Sequence, residues 1–314
     1  LSKLACEWQC CPKELSKILN PKIPANPLAE MISTLDLKKI EAPDSKEDQF
    51  EGPSQWMPHG RVFGGQVLAQ SLVAATRTIE NREVHSLHGY FLRPGDIDLP
   101  ITFSVDRLRD GRSFSTRRVQ AFQKDEAIFS MIASFQEHDP GLEHQDEFPL
   151  DIPDPETLPS AADMMGDNPH PVAQYWSKAR PFDMRHVPSP IYFKVEGEPV
   201  AHQAVWLRSL GELPDSQELH TAALAYASDY SILESIYRRH GIAWSHPGLK
   251  SASLDHAMWF HRPARVDQWM LYVQESPSAQ GGRGLALGRI FSSRGELLAT
   301  VAQEGMVRIP ELAR

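Results

Sequence analysis

Two stretches of this chain present the same succession of elements, and that repetition limits its fold more than any single motif. The first runs Gly64-Gly65-Gln66-Val67-Leu68-Ala69-Gln70-Ser71-Leu72, then Ser86-Leu87-His88-Gly89-Tyr90-Phe91-Leu92-Arg93-Pro94, then an alternating segment ending Ile132-Ala133-Ser134-Phe135-Gln136-Glu137. The second runs Leu224-Ala225-Tyr226-Ala227-Ser228-Asp229, then Leu254-Asp255-His256-Ala257-Met258-Trp259-Phe260-His261-Arg262-Pro263, then alternation ending Thr300-Val301-Ala302-Gln303-Glu304-Gly305. Each reads as a helix, an aromatic strand closed by Arg-Pro, and an antiparallel meander. Such self-similarity marks a duplicated structural unit. The 314 residues accommodate two units of roughly 100–150 residues with a connector between them.

Within the first copy, Leu68, Leu72, Ala75 and Ile79 form one helical stripe, and Val67, Val73 and Ala74 widen it until little polar face remains. A helix that is apolar nearly all round is one enclosed by a curved sheet. The strand pattern agrees: Thr102 to Arg107 alternates, Asp110-Gly111 signals a turn, and Phe114 to Phe122 alternates on the return, with Gly295-Glu296 taken as the equivalent turn of the second copy. The expected fold is α+β, two tandem antiparallel sheets each wrapped around a central helix, a double hot-dog. Pro140, Pro149, Pro153, Pro155, Pro159, Pro169, Pro171, Pro181, Pro188 and Pro190 crowd the middle of the chain. Proline removes a donor and fixes φ, so that stretch is neither a long helix nor an interior strand. The expected organisation is an N-terminal extension over 1–29, a first unit over 30–139, a connector over 140–195 with a short helix around Ala173–Lys178, and a second unit over 196–314.

Composition narrows the functional classes. With 41% hydrophobic and 23% charged residues the chain is ordinary globular material. A net charge of -9 speaks against a general nucleic-acid binder, which needs a clustered cationic surface. No apolar run approaches the roughly 20 residues of a membrane span, and the amino terminus lacks a signal-peptide layout. A soluble, cytoplasmic protein is therefore expected, and the start at Leu1 rather than Met suggests a fragment. Cys6, Cys10 and Cys11 are the chain's three cysteines and leave its body without a disulfide framework. Their spacing matches no familiar zinc pattern, so they read as part of a leader or tail and no metal is expected.

The usual nucleophile signals are absent. Gly111-Arg112-Ser113-Phe114-Ser115 lacks the second glycine of a serine elbow and falls on a hairpin, while Gly282-Arg283-Gly284 precedes a strand rather than a helix. Three polar residues instead interrupt apolar faces. Asp229 shares a helical face with Ala225, Ile232 and Ile236, which points its carboxylate inward. Alternatively, Asp229 caps a second helix beginning at Tyr230 or ends a shorter first one. Gln303 alternates with Ala299, Val301 and Val307, so it is either an amide satisfied in the core or a working one. Ser253 and Asp255 project from one face of the aromatic strand, with Leu254, His256, Met258 and Phe260 on the other; Ser253 and His256 each have an ordinary structural reading as well. Together a carboxylate, a hydroxyl and an amide on one copy can converge on a water and a carbonyl.

Arg61-Val62-Phe63-Gly64-Gly65-Gln66, His85 through Asp96, Asp110 through Arg117, Ala225 through Asp229, Ser253 through Pro263 and Ala302 through Gly305 resemble the motifs of type II acyl-CoA thioesterases. The resemblance covers roughly 30–140 and 200–308. It implies a double hot-dog enzyme that hydrolyses acyl-CoA to a free acid and CoA through an Asp, a Thr or Ser, and a Gln that activate water. Carried over, these fall on Asp229, Ser253 and Gln303, with no metal, cofactor or covalent intermediate. Gly64 and Gly65, opening the first helix, are candidates for oxyanion or phosphate contact through their N–H groups. Arg112 and Arg117, with Arg107, Arg109 and Arg118, form a basic hairpin suited to CoA phosphates. The family's habits imply a homodimer or homotetramer. Peroxisomal members end in a Ser-Lys-Leu signal, which Glu311-Leu312-Ala313-Arg314 does not match. The competing readings are a hot-dog enoyl-CoA hydratase, which needs a His five positions after the Asp where this chain has Glu234, a silent acyl-CoA-binding protein, and a mechanism with His85 or His88 as base.

Overall fold

Alternating burial along the strands builds one continuous antiparallel sheet. The computed structural model describes residues 23–312 apart from Asp44, so Cys6, Cys10 and Cys11 lie outside the described residues. The strands are β1 (Lys38–Ile40), β2 (Asp48–Gly52), β3 (Glu83–Phe91), β4 (Ile101–Asp110), β5 (Phe114–Gln123), β6 (Glu126–Gln136), β7 (Phe182–Val187), β8 (His202–Ser209), β9 (Lys250–Ser253), β10 (Asp255–Phe260), β11 (Met270–Gln280), β12 (Arg283–Ser292) and β13 (Leu297–Arg308). The helices are α1 (Pro27–Leu35), α2 (Gly64–Thr76), α3 (Ala161–Met165), α4 (Pro171–Gln174), α5 (Gln217–Ser228) and α6 (Glu234–Arg239).

The sheet order β1-β2-β4-β5-β6-β3-β10-β13-β12-β11-β8-β7, with β9 beside β13, reads the same from either edge once the copies are exchanged. Its centre is the antiparallel pair β3 and β10, with His88 opposite Ala257. The helix α2 packs on β3 to β6 and against α5, so the two central helices touch beneath the junction of the halves. A single apolar cluster runs through both, from Leu68, Leu72 and Phe103 to Ala225, Ile232 and Val301.

Every residue of α2 from Gly65 to Ala75 is buried, so even its polar side chains need partners. Gln66 donates to the carbonyl of Pro53 at 3.0 Å and accepts from the N–H of Gln55 at 3.0 Å, while Gln70 donates to the carbonyl of Thr34.

Three sequence expectations need correction here. The face shared by Ala225, Asp229, Ile232 and Ile236 does not belong to one continuous helix; the other reading, in which Asp229 ends a shorter first helix, is the one realised, with α5 stopping at Ser228, Asp229 its C-cap and α6 starting only at Glu234. The turn equivalent to Asp110-Gly111 is Gly281-Gly282, between β11 and β12; Gly295 instead joins β12 to β13, as Lys124-Asp125 joins β5 to β6. And α1 begins at Pro27, inside the stretch expected to be an extension, capped by the Asn26 side chain. The proline-rich stretch carries α3, α4, a π-helical turn over Tyr175–Ala179 and the strand β7. Flanked by Pro181 and Pro188, β7 lies at the sheet edge, where a missing N–H is tolerated.

Candidate active site

The end of α5 meets the start of α2. Ser216 caps α5 by accepting from the N–H of Leu219, and an alanine-rich body carries the helix to Ser228. Asp229 remains near helical (φ -87°, ψ -6°), and its N–H reaches back to the carbonyl of Ala227. Opposite it, α2 opens at Phe63 with no side-chain cap, leaving N–H groups without intrahelical acceptors. The Gly65 N–H donates to the Asp229 carboxylate, so Asp229 terminates one helix and caps the other. An anion is disfavoured at the first position and favoured at the second. Glycine is required for this approach. A Cβ on Gly64 would lie 2.6 Å from Oδ2 of Asp229, and one on Gly65 would collide with the carbonyl oxygen of Tyr226.

Ser253 and Gln303 reach the same carboxylate from the sheet. Ser253 lies opposite Gly305, and Ala257 opposite Ala302, so four steps along one strand match three along its partner. That bulge at Leu254 breaks the alternation. It turns Ser253 and His256 to the same side, toward Gln303, where strict alternation had set them on opposite faces. Asp255 closes the bulge by accepting from the N–H of Glu304 at 2.7 Å.

The hydrogen bonds then run in one direction. The Ser253 hydroxyl donates to Oδ1 of Asp229 at 3.1 Å, and Nε2 of Gln303 donates to Oγ of Ser253 at 2.8 Å. Oε1 of Gln303 faces Nδ1 of His256, and Nε2 of His256 lies 2.9 Å from Oγ of Ser228. An ionised carboxylate only accepts, so the Ser253 proton points at it and the Gln303 amide orientation follows. His256 therefore carries its proton on Nδ1, leaving Nε2 bare beside the Ser228 hydroxyl, which also lies 2.8 Å from the carbonyl of Ala225. Burial holds the His256 imidazole neutral, its pKa lowered to about 4.

Burial acts on Asp229 in the opposite sense, raising its pKa to about 6 against the hydrogen bonds of Gln303, Ser253 and Gly65, which favour the ionised form. Asp229 retains partial exposure, but only to a cavity of about 580 Å³ walled by Phe63, Gly64, Tyr230, Leu233 and Ser253. Both copies thus line the cavity.

A family model described as acyl-CoA thioesterase matches residues 177–306, and one described as acyl-CoA thioesterase N-terminal domain matches residues 52–136. The chain is 38% identical over 298 residues to acyl-coenzyme A thioesterase 8 of Homo sapiens, covering 90% of this chain and 92% of that protein. It is also 38% identical over 291 residues to acyl-CoA thioesterase 2 of Haemophilus influenzae, covering 90% and 99%. The chain belongs to the acyl-CoA thioesterase family. A crystal structure of an acyl-CoA thioesterase II from Mycobacterium marinum agrees with the fold at a TM-score of 0.71 and 41% identity, over 91% of this chain and 99% of that one. As a family member the chain is an acyl-CoA thioester hydrolase with the double hot-dog architecture.

The arginine candidates of this acyl-CoA thioesterase family member lie elsewhere. Arg117, expected at CoA phosphates, is 2% exposed and points inward. It donates to the hydroxyl and carbonyl of Thr78, to the carbonyl of Arg109 and to Asp110. Desolvation and a full set of partners make it a strut between α2 and the hairpin, not a phosphate ligand. Arg112 sits at the hairpin tip, where its carbonyl accepts from Arg82, and does not line the cavity. Arg107 is paired with Asp48, and Arg118 with Asp106. Gly64 does line the cavity, whereas the N–H of Gly65 is taken by Asp229 rather than by a ligand.

His85 bonds Ser134 at 2.8 Å and His88 packs edge-on against Trp259, both away from Asp229. Glu234 is buried, accepting from the Trp244 indole. The sequence reading missed Tyr175, Trp176 and Arg180 from the proline-rich stretch, which line the cavity. Their composition was visible, but nothing local ties them to Tyr230.

Proposed function

We propose that this chain hydrolyses acyl-CoA thioesters by direct attack of water, with Asp229 as general base. The ionised carboxylate takes a proton from a water held by the Ser253 hydroxyl and the Gln303 amide. The resulting hydroxide oxygen attacks the thioester carbonyl carbon. A new C–O bond forms, the carbonyl electrons move onto oxygen, and collapse of the tetrahedral intermediate breaks the C–S bond. Asp229 then returns its proton to the departing thiolate, so acid and CoA leave and the carboxylate is restored. The Gly64 N–H, in the first turn of α2 and without an intrahelical acceptor, is assigned to the oxyanion.

The observation that carries this reading is the raised, cavity-facing Asp229 carboxylate held by a hydroxyl and an amide from the facing sheet. A base near pKa 6 is ionised at neutral pH yet basic enough to accept a proton in the transition state. His256 orients Gln303 and remains neutral; it has no open position for water. No step requires a metal or an acyl-enzyme.

Thiol release from short, medium and long acyl-CoAs tests the assignment. Asp229→Asn is expected to lower kcat by about 10²–10⁴-fold, and Gln303→Ala to lower kcat more than it raises KM. An Asp229→Asn variant that turns over at the parent rate would remove the carboxylate from the mechanism.

A further inference from the structure

Of the buried arginines among the described residues, Arg117 and Arg238 are fully provided with acceptors, whereas Arg180 is not. Arg238 donates to Gln203 and to the carbonyls of Glu196 and Ser189. Arg180, 9% exposed, makes long contacts from Nη1, 3.5 Å to the Tyr192 hydroxyl and 3.6 Å to the Met184 sulfur, its guanidinium also bonds the Tyr175 hydroxyl, and its buried Nε has no partner. It forms no ion pair with a carboxylate among the described residues. Rings cover the guanidinium instead: its carbon lies 4.7 Å from the centre of Tyr230, 5.8 Å from Trp176 and 5.9 Å from Tyr175. Arg180, Tyr175, Trp176 and Tyr230 all line the cavity that contains Asp229.

A guanidinium withdrawn from water without an anion is costly, and stacked rings recover only part of that cost. Rings on the guanidinium face leave its edge for recognition, and that edge presents parallel donors matched to a carboxylate or phosphate. We infer that Arg180 is an anion-binding subsite of the substrate cavity, completed when the thioester brings an anionic oxygen group to it. This rests on the hydrolase reading above. The shared chemistry is an oxyanion pair, supplied either by a CoA phosphate or by a carboxylate on the acyl group.

Steady-state thiol release from three thioesters tests it: octanoyl-CoA, octanoyl-pantetheine, which lacks the phosphates, and the ω-carboxy counterpart of octanoyl-pantetheine. In the unaltered enzyme KM for one of the two anionic substrates should be at least about tenfold below that for octanoyl-pantetheine, and Arg180→Met should erase that difference. It should leave octanoyl-pantetheine within about twofold, and Arg180→Lys should retain part of the preference. Loss of the octanoyl-CoA advantage assigns the phosphate; loss of the ω-carboxy advantage assigns the acyl chain. The inference is overturned if the unaltered enzyme shows neither preference, which needs no variant to fold, or if Arg180→Met raises all three KM values alike. Failure to release thiol from any of the three would overturn the hydrolase reading itself.

Discussion

Asp229 carries a conflict between stability and chemistry that pH makes measurable. Its carboxyl titrates near 6 in the folded protein, against 3.8 as the ordinary value. Because the folded pKa is raised, the stabilising preference for the protonated form is complete below the unfolded value and disappears as pH rises through about 6. Above that, the ionised group costs on the order of 3 kcal/mol, two units of pKa at about 1.4 kcal/mol each. Asp229→Asn should therefore melt at a higher temperature than the parent at about pH 8, with the difference shrinking as pH falls through about 6 and closing below 3.8. Thiol release by the parent should rise with pH along a single limb with a midpoint near 6. A profile centred near 4, or equal melting curves at high pH, would contradict the placement of this carboxylate.

His256 yields a second test at this scale, because only its Nδ1–H is needed to orient Gln303. In His256→Asn the amide nitrogen falls near Nδ1, so kcat should stay within about threefold. In His256→Gln the amide reaches the Nε2 position and leaves Oε1 of Gln303 without a donor, so kcat should fall about tenfold or more with KM little changed. Equal losses in both would reduce His256 to packing.

At the level of elements, what sequence reasoning reached and missed follows from which interactions are local. The enclosed helix and the alternating strands were legible because periods of 3.6 and 2 are properties of the segment itself. Where α5 ends was legible only as one of several readings, since Ala225, Ile232 and Ile236 keep helical spacing across a stretch whose backbone leaves the helix at Asp229. The bulge at Leu254 was equally hidden, having no glycine to mark it, although Asp255 satisfies the N–H of Glu304 there.

Arg117 had a readable signal: it alternates with Val119 and Ala121 on the buried face of β5. The Gly64-Gly65 pair, singled out for ligand contact, serves contact between the two helices, where Gly65 donates to Asp229 and a Cβ on either glycine would collide. Gly64→Ala should lower kcat strongly at small cost in melting temperature, because its methyl displaces a carboxylate. Gly65→Ala meets backbone at Tyr226 and should cost about 1–3 kcal/mol of stability, read by denaturant unfolding. Equal stability losses in the two variants would contradict this division.

The whole molecule explains why a duplicated fold places the carboxylate at one end. Helices α2 and α5 lie so that the cavity at one end is lined by Gly64 and Asp229. A second cavity of about 320 Å³ lies at the other, lined by Thr76, Gln217 and Glu218. There the first turn of α5 carries side chains where α2 has paired glycines, and α2 ends in Thr76 rather than a carboxylate. The two backbones correspond, as the mirrored strand order shows, while the chemistry differs. The repeat was legible because both copies keep their Arg-Pro strands. The junction was not, because it depends on contacts between residues more than 150 positions apart.

In the proposed mechanism water, not Asp229, forms the bond to the acyl carbon. A single turnover of excess enzyme on acyl-CoA in ¹⁸O-labelled water, with mass analysis of the acid and of the Asp229 peptide, separates the two. Direct attack by water puts one heavy oxygen in the acid of the first turnover and none in the peptide. Unlabelled acid with label in Asp229 would contradict it.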